Sequence, residues 1–388
     1  MRAIKSYYAH ACNSAVWRIR QPSHAIAMRT TLSYKSPLHE MTQTTPTCLW
    51  NDSASIHELT SSIEHGAVGA TCNPVIVLEV LKKEMHLWSS FIGHLIKELP
   101  TATEDQIAWK LVEAISAKGA ELLLPIFEQY KGRNGRLSVQ TDPRLYRDTA
   151  AILAQAEHLS ELAPNIIVKI PVTKAGIAAI EAATYRGISI NATVSFSVPQ
   201  SIAVAEAVER GLKRREREGL HITSMGPVCT IMVGRLDDWL KVHAEKQSIT
   251  VDPGILEWAG VAVFKKAYEI YRKRGYRLRL LSAAFRNHMH WSEFIGGDVV
   301  ISPPYKWQQR FNASGVQVVS RIEKPVDPDI VAKLLKKFDD FQRAYYEEDM
   351  TIDEFDTFAP TVRTLRQFIT ACHDLNNLVR EFMLPNPD

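Results

Sequence analysis

The stretch Asn165-Ile-Ile-Val-Lys-Ile-Pro171 is a run of β-branched residues bounded by Asn and Pro and interrupted by a single lysine. A run of this kind reads as a strand covered on both faces, the signature of a parallel sheet flanked by helices. Lys169 is its awkward member. Burial strips water from the ammonium, lowers its pKa and leaves an amine able to attack a carbonyl carbon. The plainer alternative is a lysine that snorkels out from a strand end, as most strand lysines do.

Helical patterns flank this strand at 144–163 and 173–185, and short apolar runs alternate with amphipathic stretches from residue 47 onward. Strands are read near 48–52, 67–71, 136–141, 165–170, 189–196, 228–233, 277–283 and 298–302, with further helices at 55–65, 199–217 and 256–274. Repeated βα units place their strands in parallel, and eight of them predict an α/β fold, a (β/α)8 TIM barrel. The interval 74–131 is too long for one crossover. Its apolar spacing at Ile107, Leu111 and Ile115 predicts inserted helices after the second strand. Stretches 327–346 and 360–383 predict C-terminal helices that pack Phe338, Phe341, Phe368 and Phe382 onto the barrel.

At 388 residues and 46% hydrophobic content the chain can bury one large core. A barrel takes about 250 residues, which leaves room for additions. The chain is therefore read as a basic extension over 1–46, disordered, and one barrel with a C-terminal helical extension over 47–388. Arg2, Lys5, Arg18, Arg20, Arg29 and Lys35 all precede the first acid, Glu40. A basic, acid-free beginning resembles an organelle transit segment; a disordered extension, or a start assigned upstream of Met41, is the simpler account.

A formal net charge of +3 argues against an extended nucleic-acid surface and leaves room for a local anion pocket. The cysteines Cys12, Cys48, Cys72, Cys229 and Cys372 are scattered and form no CxxC pair, so neither a disulfide framework nor a thiolate zinc site is indicated. A reducing, cytoplasmic setting fits. No apolar run approaches the roughly 18 residues of a membrane span. The expected partners are small molecules, not nucleic acid or membrane. His288-Met-His290 has no third ligand nearby and reads as surface-loop residues, not a metal site.

Polar residues fall at the carboxyl ends of the expected strands, where barrel enzymes build their sites. These are Asp52 after the first strand, Asn73 after the second, Ser138 and Gln140 in the third, Asn191 and Thr193 in the fifth, Arg235 after the sixth and Arg286 after the seventh. Singly, each has a plain reading as a turn residue, a helix cap or a solvated group. With Lys169 they supply an amine, a carboxylate, hydroxyls, amides and two guanidinium groups. That inventory can grip a polyhydroxy ketone with a phosphate at one end.

Seven segments in order resemble the transaldolases: Trp50-Asn-Asp-Ser-Ala54, Gly69-Ala-Thr-Cys-Asn-Pro74, Gly135-Arg-Leu-Ser-Val-Gln-Thr-Asp-Pro-Arg144, Ile167-Val-Lys-Ile-Pro-Val-Thr173, Gly187-Ile-Ser-Ile-Asn-Ala-Thr193, Val233-Gly-Arg-Leu-Asp-Asp-Trp239 and Ser282-Ala-Ala-Phe-Arg-Asn287. Their order and spacing are far more specific than any one piece. By this resemblance Lys169 is the Schiff-base lysine and Asp52 the catalytic carboxylate. Asn73, Ser138, Asn191 and Thr193 line the sugar and water sites, and Arg235 and Arg286 clamp a phosphate. The resemblance further implies a metal-independent class I enzyme without a cofactor, acting on sugar phosphates in the pentose phosphate pathway, and leaves room for a homo-oligomer.

Three positions depart from the pattern. Gln140 stands where transaldolases carry an acid/base glutamate, Met232 where they carry Phe and the related fructose-6-phosphate aldolases carry Tyr, and Ala284 where a serine is usual. Gln140 resembles the aldolase branch, while Met232 lacks its phenol. The implied reaction transfers a dihydroxyacetone unit between a ketose phosphate and an aldose phosphate. An aldolase releasing free dihydroxyacetone or acting on an unusual ketose, and a barrel that binds sugar phosphate without turnover, are the alternatives.

Overall fold

The computed structural model describes residues 33–387. Eight parallel strands, β1 (Cys48–Asn51), β2 (Ala67–Thr71), β3 (Arg136–Gln140), β4 (Ile166–Pro171), β5 (Ile190–Thr193), β6 (Val228–Ile231), β7 (Arg279–Ser282) and β8 (Val300–Ile301), close into a barrel in sequence order. Closure runs through Cys48 opposite Val300. The α/β barrel expected from the alternation is the fold, and every strand lies within three residues of its expected place.

Both faces of the strands are covered. Leu49, Leu137, Val139, Val168, Ile170 and Ile190 join the main core under the helices, while Trp50, Ile167, Val228, Leu281, Ala283 and Val300 form a second apolar cluster. That second cluster draws on strands that are not neighbours, which only a barrel interior brings together. Gly69 makes room for its largest member: a Cβ there would lie 2.5 Å from the Trp50 indole.

The insertion after β2 is two long helices, Pro74–Glu98 and Glu104–Gln129, the second opened by a capping box between Thr103 and Gln106. The C-terminal helix Ala359–Met383 packs across both and buries Leu365, Phe368 and Leu375. Asn376 and Arg380 tie it to Asp105 and Glu104 at 3.0 and 2.9 Å. Two expectations are corrected. The stretch 327–346 is not one helix but two, Pro328–Lys337 and Asp339–Tyr345, because Phe338 turns to extended backbone (φ −136°) to bury its ring. The sixth strand stops at Ile231 instead of running to 233, and a further helix, Val233–Lys246, begins there.

The basic segment over 1–32, with its resemblance to a transit sequence, lies outside the described residues; Lys35 lies just within them. The end of the expected extension is ordered. Pro37–Thr44 is a helix capped by Ser36, and Leu38 and Met41 are fully buried against the barrel. The Met41 sulfur accepts a hydrogen bond from the Trp291 indole at 3.3 Å. No helix among the described residues is long and apolar enough to cross a membrane.

If this N-terminal helix is part of the packed fold, Met41→Ala removes a core side chain. The loss in unfolding free energy should be about 2–5 kcal/mol, read by denaturant titration. A change near zero would show that the helix contributes nothing to the barrel.

Candidate active site

Lys169 sits in β4 with Gln140 of β3 and Asn191 of β5 as its register neighbours. Its side chain is 4% exposed. Burial holds the amine below the ordinary lysine range, partly opposed by the negative charge of Asp52, while the Arg235 cation adds to the lowering. Asp52 follows β1 and accepts a hydrogen bond from the Thr71 hydroxyl. Burial raises its carboxyl above the usual range, opposed by Lys169, by the Thr71 bond and by Arg235. The site thus holds an amine and a carboxyl that burial pushes toward neutrality and that each draw the other back toward charge. Cys72, also facing Lys169, is pushed up to about 12 by burial and stays a thiol.

Below this pair runs a chain of hydrogen bonds. Thr230 donates to Asn191 Oδ1 at 2.7 Å, and Asn191 Nδ2 donates to Ser138 Oγ at 3.0 Å. All three side chains are buried. Thr193 reaches only the Met232 sulfur, at 4.0 Å. Gln140 is different: its amide is 1% exposed, and neither its oxygen nor its nitrogen has a hydrogen-bond partner in the protein. Buried amides are nearly always paired, so this one, beside a buried amine, is free to bond with water or a ligand. Asn73 also lies at this mouth, where its Oδ1 accepts from the Ile76 amide and caps the helix Pro74–Glu98.

The two expected arginines meet. The helix Val233–Lys246 opens on Met232 without a side-chain cap and carries Arg235 in its first turn. Gly234 allows the approach, since a Cβ there would fall 2.0 Å from the Ala284 carbonyl oxygen and 2.7 Å from Arg286 Cγ. Burial, and next the Arg286 cation, lower Arg235 to about 10. Arg286 is exposed and grips Asp238 at 3.0 and 2.7 Å. Its backbone amide donates to His290 Nδ1 at 3.1 Å, and His290 Nε2 donates to Asp237 at 2.9 Å. The surface-loop reading of His290 is therefore corrected, because it is fully buried and holds the Arg286 backbone; His288 is exposed. Among the described residues no cluster of three His, Cys, Asp or Glu side chains suits a metal ion.

Backbone strain gathers at the same mouth. Val194 (φ 57°) directly follows Thr193, and Ala284 (φ 65°) follows β7 and precedes Arg286 by two. A β-branched residue in the left-handed region is uncommon and persists only where its surroundings over-determine it. Sequence reasoning missed Thr71 and Thr230, which their positions inside expected strands could have flagged. The C-terminal helix also brings Arg363 close enough for its cation to add to the lowering of Arg235, a neighbour for which no local spacing offers a signal.

The chain matches the family model described as Transaldolase/Fructose-6-phosphate aldolase over residues 49–376. Similar proteins include Transaldolase 1 of Streptomyces avermitilis, 30% identical over 58% of this chain and 61% of the relative. The Transaldolase of Thermobifida fusca is 32% identical over 61% of this chain and 66% of its own, and that of Thiobacillus denitrificans 33% over 54% and 58%. The chain thus spans about three fifths of the length of the curated relatives it matches. With a family match across most of a barrel whose strands rise to one shared polar mouth, the chain belongs to the transaldolase/fructose-6-phosphate aldolase family.

Proposed function

We propose that the chain is a transaldolase-type enzyme that carries a dihydroxyacetone unit on Lys169 from a ketose phosphate to an aldose phosphate, as in the non-oxidative pentose phosphate pathway. The observation that carries this reading is a buried amine, held below its ordinary pKa, facing a buried carboxyl at the carboxyl mouth of the barrel. Lys169 attacks the ketose C2 carbonyl, and loss of water leaves an iminium that draws electrons from the C3–C4 bond. Asp52, with Thr71 fixing its carboxylate, removes the C4 hydroxyl proton as that bond breaks. The aldehyde leaves and an enamine stays on the lysine until its C3 attacks a second aldehyde; Asp52 returns the proton to the new alkoxide, and water hydrolyses the iminium to free the product and Lys169. Ser138, Asn191 and Thr193 hold the sugar hydroxyls, and Asn73 borders them. Arg235 and Arg286 take the phosphate, aided by the start of the uncapped helix Val233–Lys246.

Gln140 favours a second reading. Release of free dihydroxyacetone needs a proton delivered to the enamine C3 and then water on the resulting iminium; Gln140, an amide that can hold that water, resembles the aldolase branch at this position, and an unusual ketose is the other alternative. Turnover of fructose 6-phosphate with and without erythrose 4-phosphate separates the two. Dependence on the acceptor means transfer.

Borohydride reduction in the presence of fructose 6-phosphate should add a dihydroxyacetone- or ketose-derived mass to the peptide carrying Lys169. No adduct at concentrations where the sugar binds would end the enzyme reading. The pH profile tests the Asp52 pairing. Attack needs the neutral amine, so activity rises with pH through the Lys169 ionisation, below the ordinary lysine value. Asp52→Asn removes the charge that raises Lys169, so this limb should move to lower pH while the rate falls about 10²–10⁴-fold. A limb that stays put or moves up would separate the two residues. Gln140→Glu should add one ionisation to the profile, above the ordinary glutamate range because the position is buried. An unchanged profile at an unchanged rate would remove residue 140 from proton transfer.

A further inference from the structure

The C-terminal helix reaches the mouth that holds Lys169. Gln367 on this helix accepts a hydrogen bond from Arg235, and the Arg235 guanidinium lies 5.6 Å from the Phe368 ring centre. Arg363 stands four residues before Gln367, which places both on one helix face with their Cβ atoms about 5–6 Å apart. A third guanidinium therefore joins Arg235 and Arg286. Its Nη1 is buried without a hydrogen-bond partner in the protein, as is Nε of Arg235. Arg286, in contrast, already spends Nε and Nη2 on Asp238.

A buried guanidinium nitrogen without an acceptor is costly, and two of them on adjacent cations are costlier, because like charges repel most where water is scarce. One ligand relieves both terms: an anion with several acceptor oxygens.

We propose that Arg363 is a phosphate ligand of this site, so that the anion is held between Arg235 at the start of one helix and Arg363 reaching in from the C-terminal helix. The assignment rests on the sugar-phosphate reading above for its natural ligand, though not for its chemistry. Arg363 thereby sets preference for phosphorylated over unphosphorylated sugars. It also couples occupancy of the phosphate position to docking of the C-terminal helix.

The test is calorimetric binding of inorganic phosphate to the full chain and to Arg363→Met and Arg363→Lys, together with the ratio of KM for fructose 6-phosphate to KM for fructose. Arg363→Met should weaken phosphate binding about ten- to hundredfold, the range of a charge-assisted hydrogen bond lost at a buried site, and should shift the KM ratio in the same sense. Arg363→Lys should lose less, since it keeps the charge but not the planar pair of N–H groups. It also serves if the Met variant fails to fold. Native phosphate affinity and a native KM ratio in a folded variant would overturn the assignment. Phosphate binding needs no Schiff base. Weakened phosphate binding with no adduct on Lys169 would keep Arg363 and remove the transaldolase reading, whereas an adduct with undiminished phosphate affinity would do the reverse.

Discussion

Everything in this molecule turns on bringing one amine out of water. A charged lysine in a strand covered on both faces is expensive, and the barrel meets that cost in two ways: it lowers the amine's pKa and sets Asp52 opposite. Neither group is comfortable alone. Each is less costly charged when the other is charged, so ionisation of one favours ionisation of the other, and the pair titrates as a unit. The proposed reactivity follows from that discomfort, because burial favours the neutral form of the amine, which is the form that attacks a carbonyl.

The remaining polar groups in the barrel divide by whether they are satisfied. Thr230, Asn191 and Ser138 are joined by hydrogen bonds that fix the floor of the site on which the sugar hydroxyls would rest. Gln140, Arg235 and Arg363 do the opposite, each keeping a buried polar atom with no partner in the protein. The two classes sit within one barrel mouth. Rigid, satisfied groups hold the geometry, and unsatisfied ones supply the attraction. The left-handed Val194 and Ala284 belong with the first class, since strained backbone lasts only when its neighbours leave no alternative.

Much of this was legible in the sequence, for a physical reason. The fourth strand is written as a β-branched run, and eight short apolar runs alternating with amphipathic stretches admit few topologies, so the barrel and the strand ends near Lys169, Asp52 and the arginines could be placed from the sequence. What escaped detection depends on tertiary contact. Phe338 breaks a helix to bury its ring, His290 is fixed by Asp237 from another helix, and Arg363 comes near Arg235 only because the C-terminal helix folds back over the barrel. The N-terminal helix escaped because its basic, acid-free surroundings masked the two apolar residues, Leu38 and Met41, that dock it.

Closure of β8 onto β1 has a consequence for how the protein comes into being. Cys48 pairs with Val300, near opposite ends of the barrel sequence, so the last ladder forms only after a very long loop has been closed. Such non-local pairing slows folding, and on the ribosome the early strands must wait, edges unpaired, for the late ones to emerge. Asp52 directly follows the first strand, Lys169 lies in the fourth and Arg363 on the last helix. On the proposed reading, the groups that would act on a sugar phosphate therefore come together only as the barrel completes.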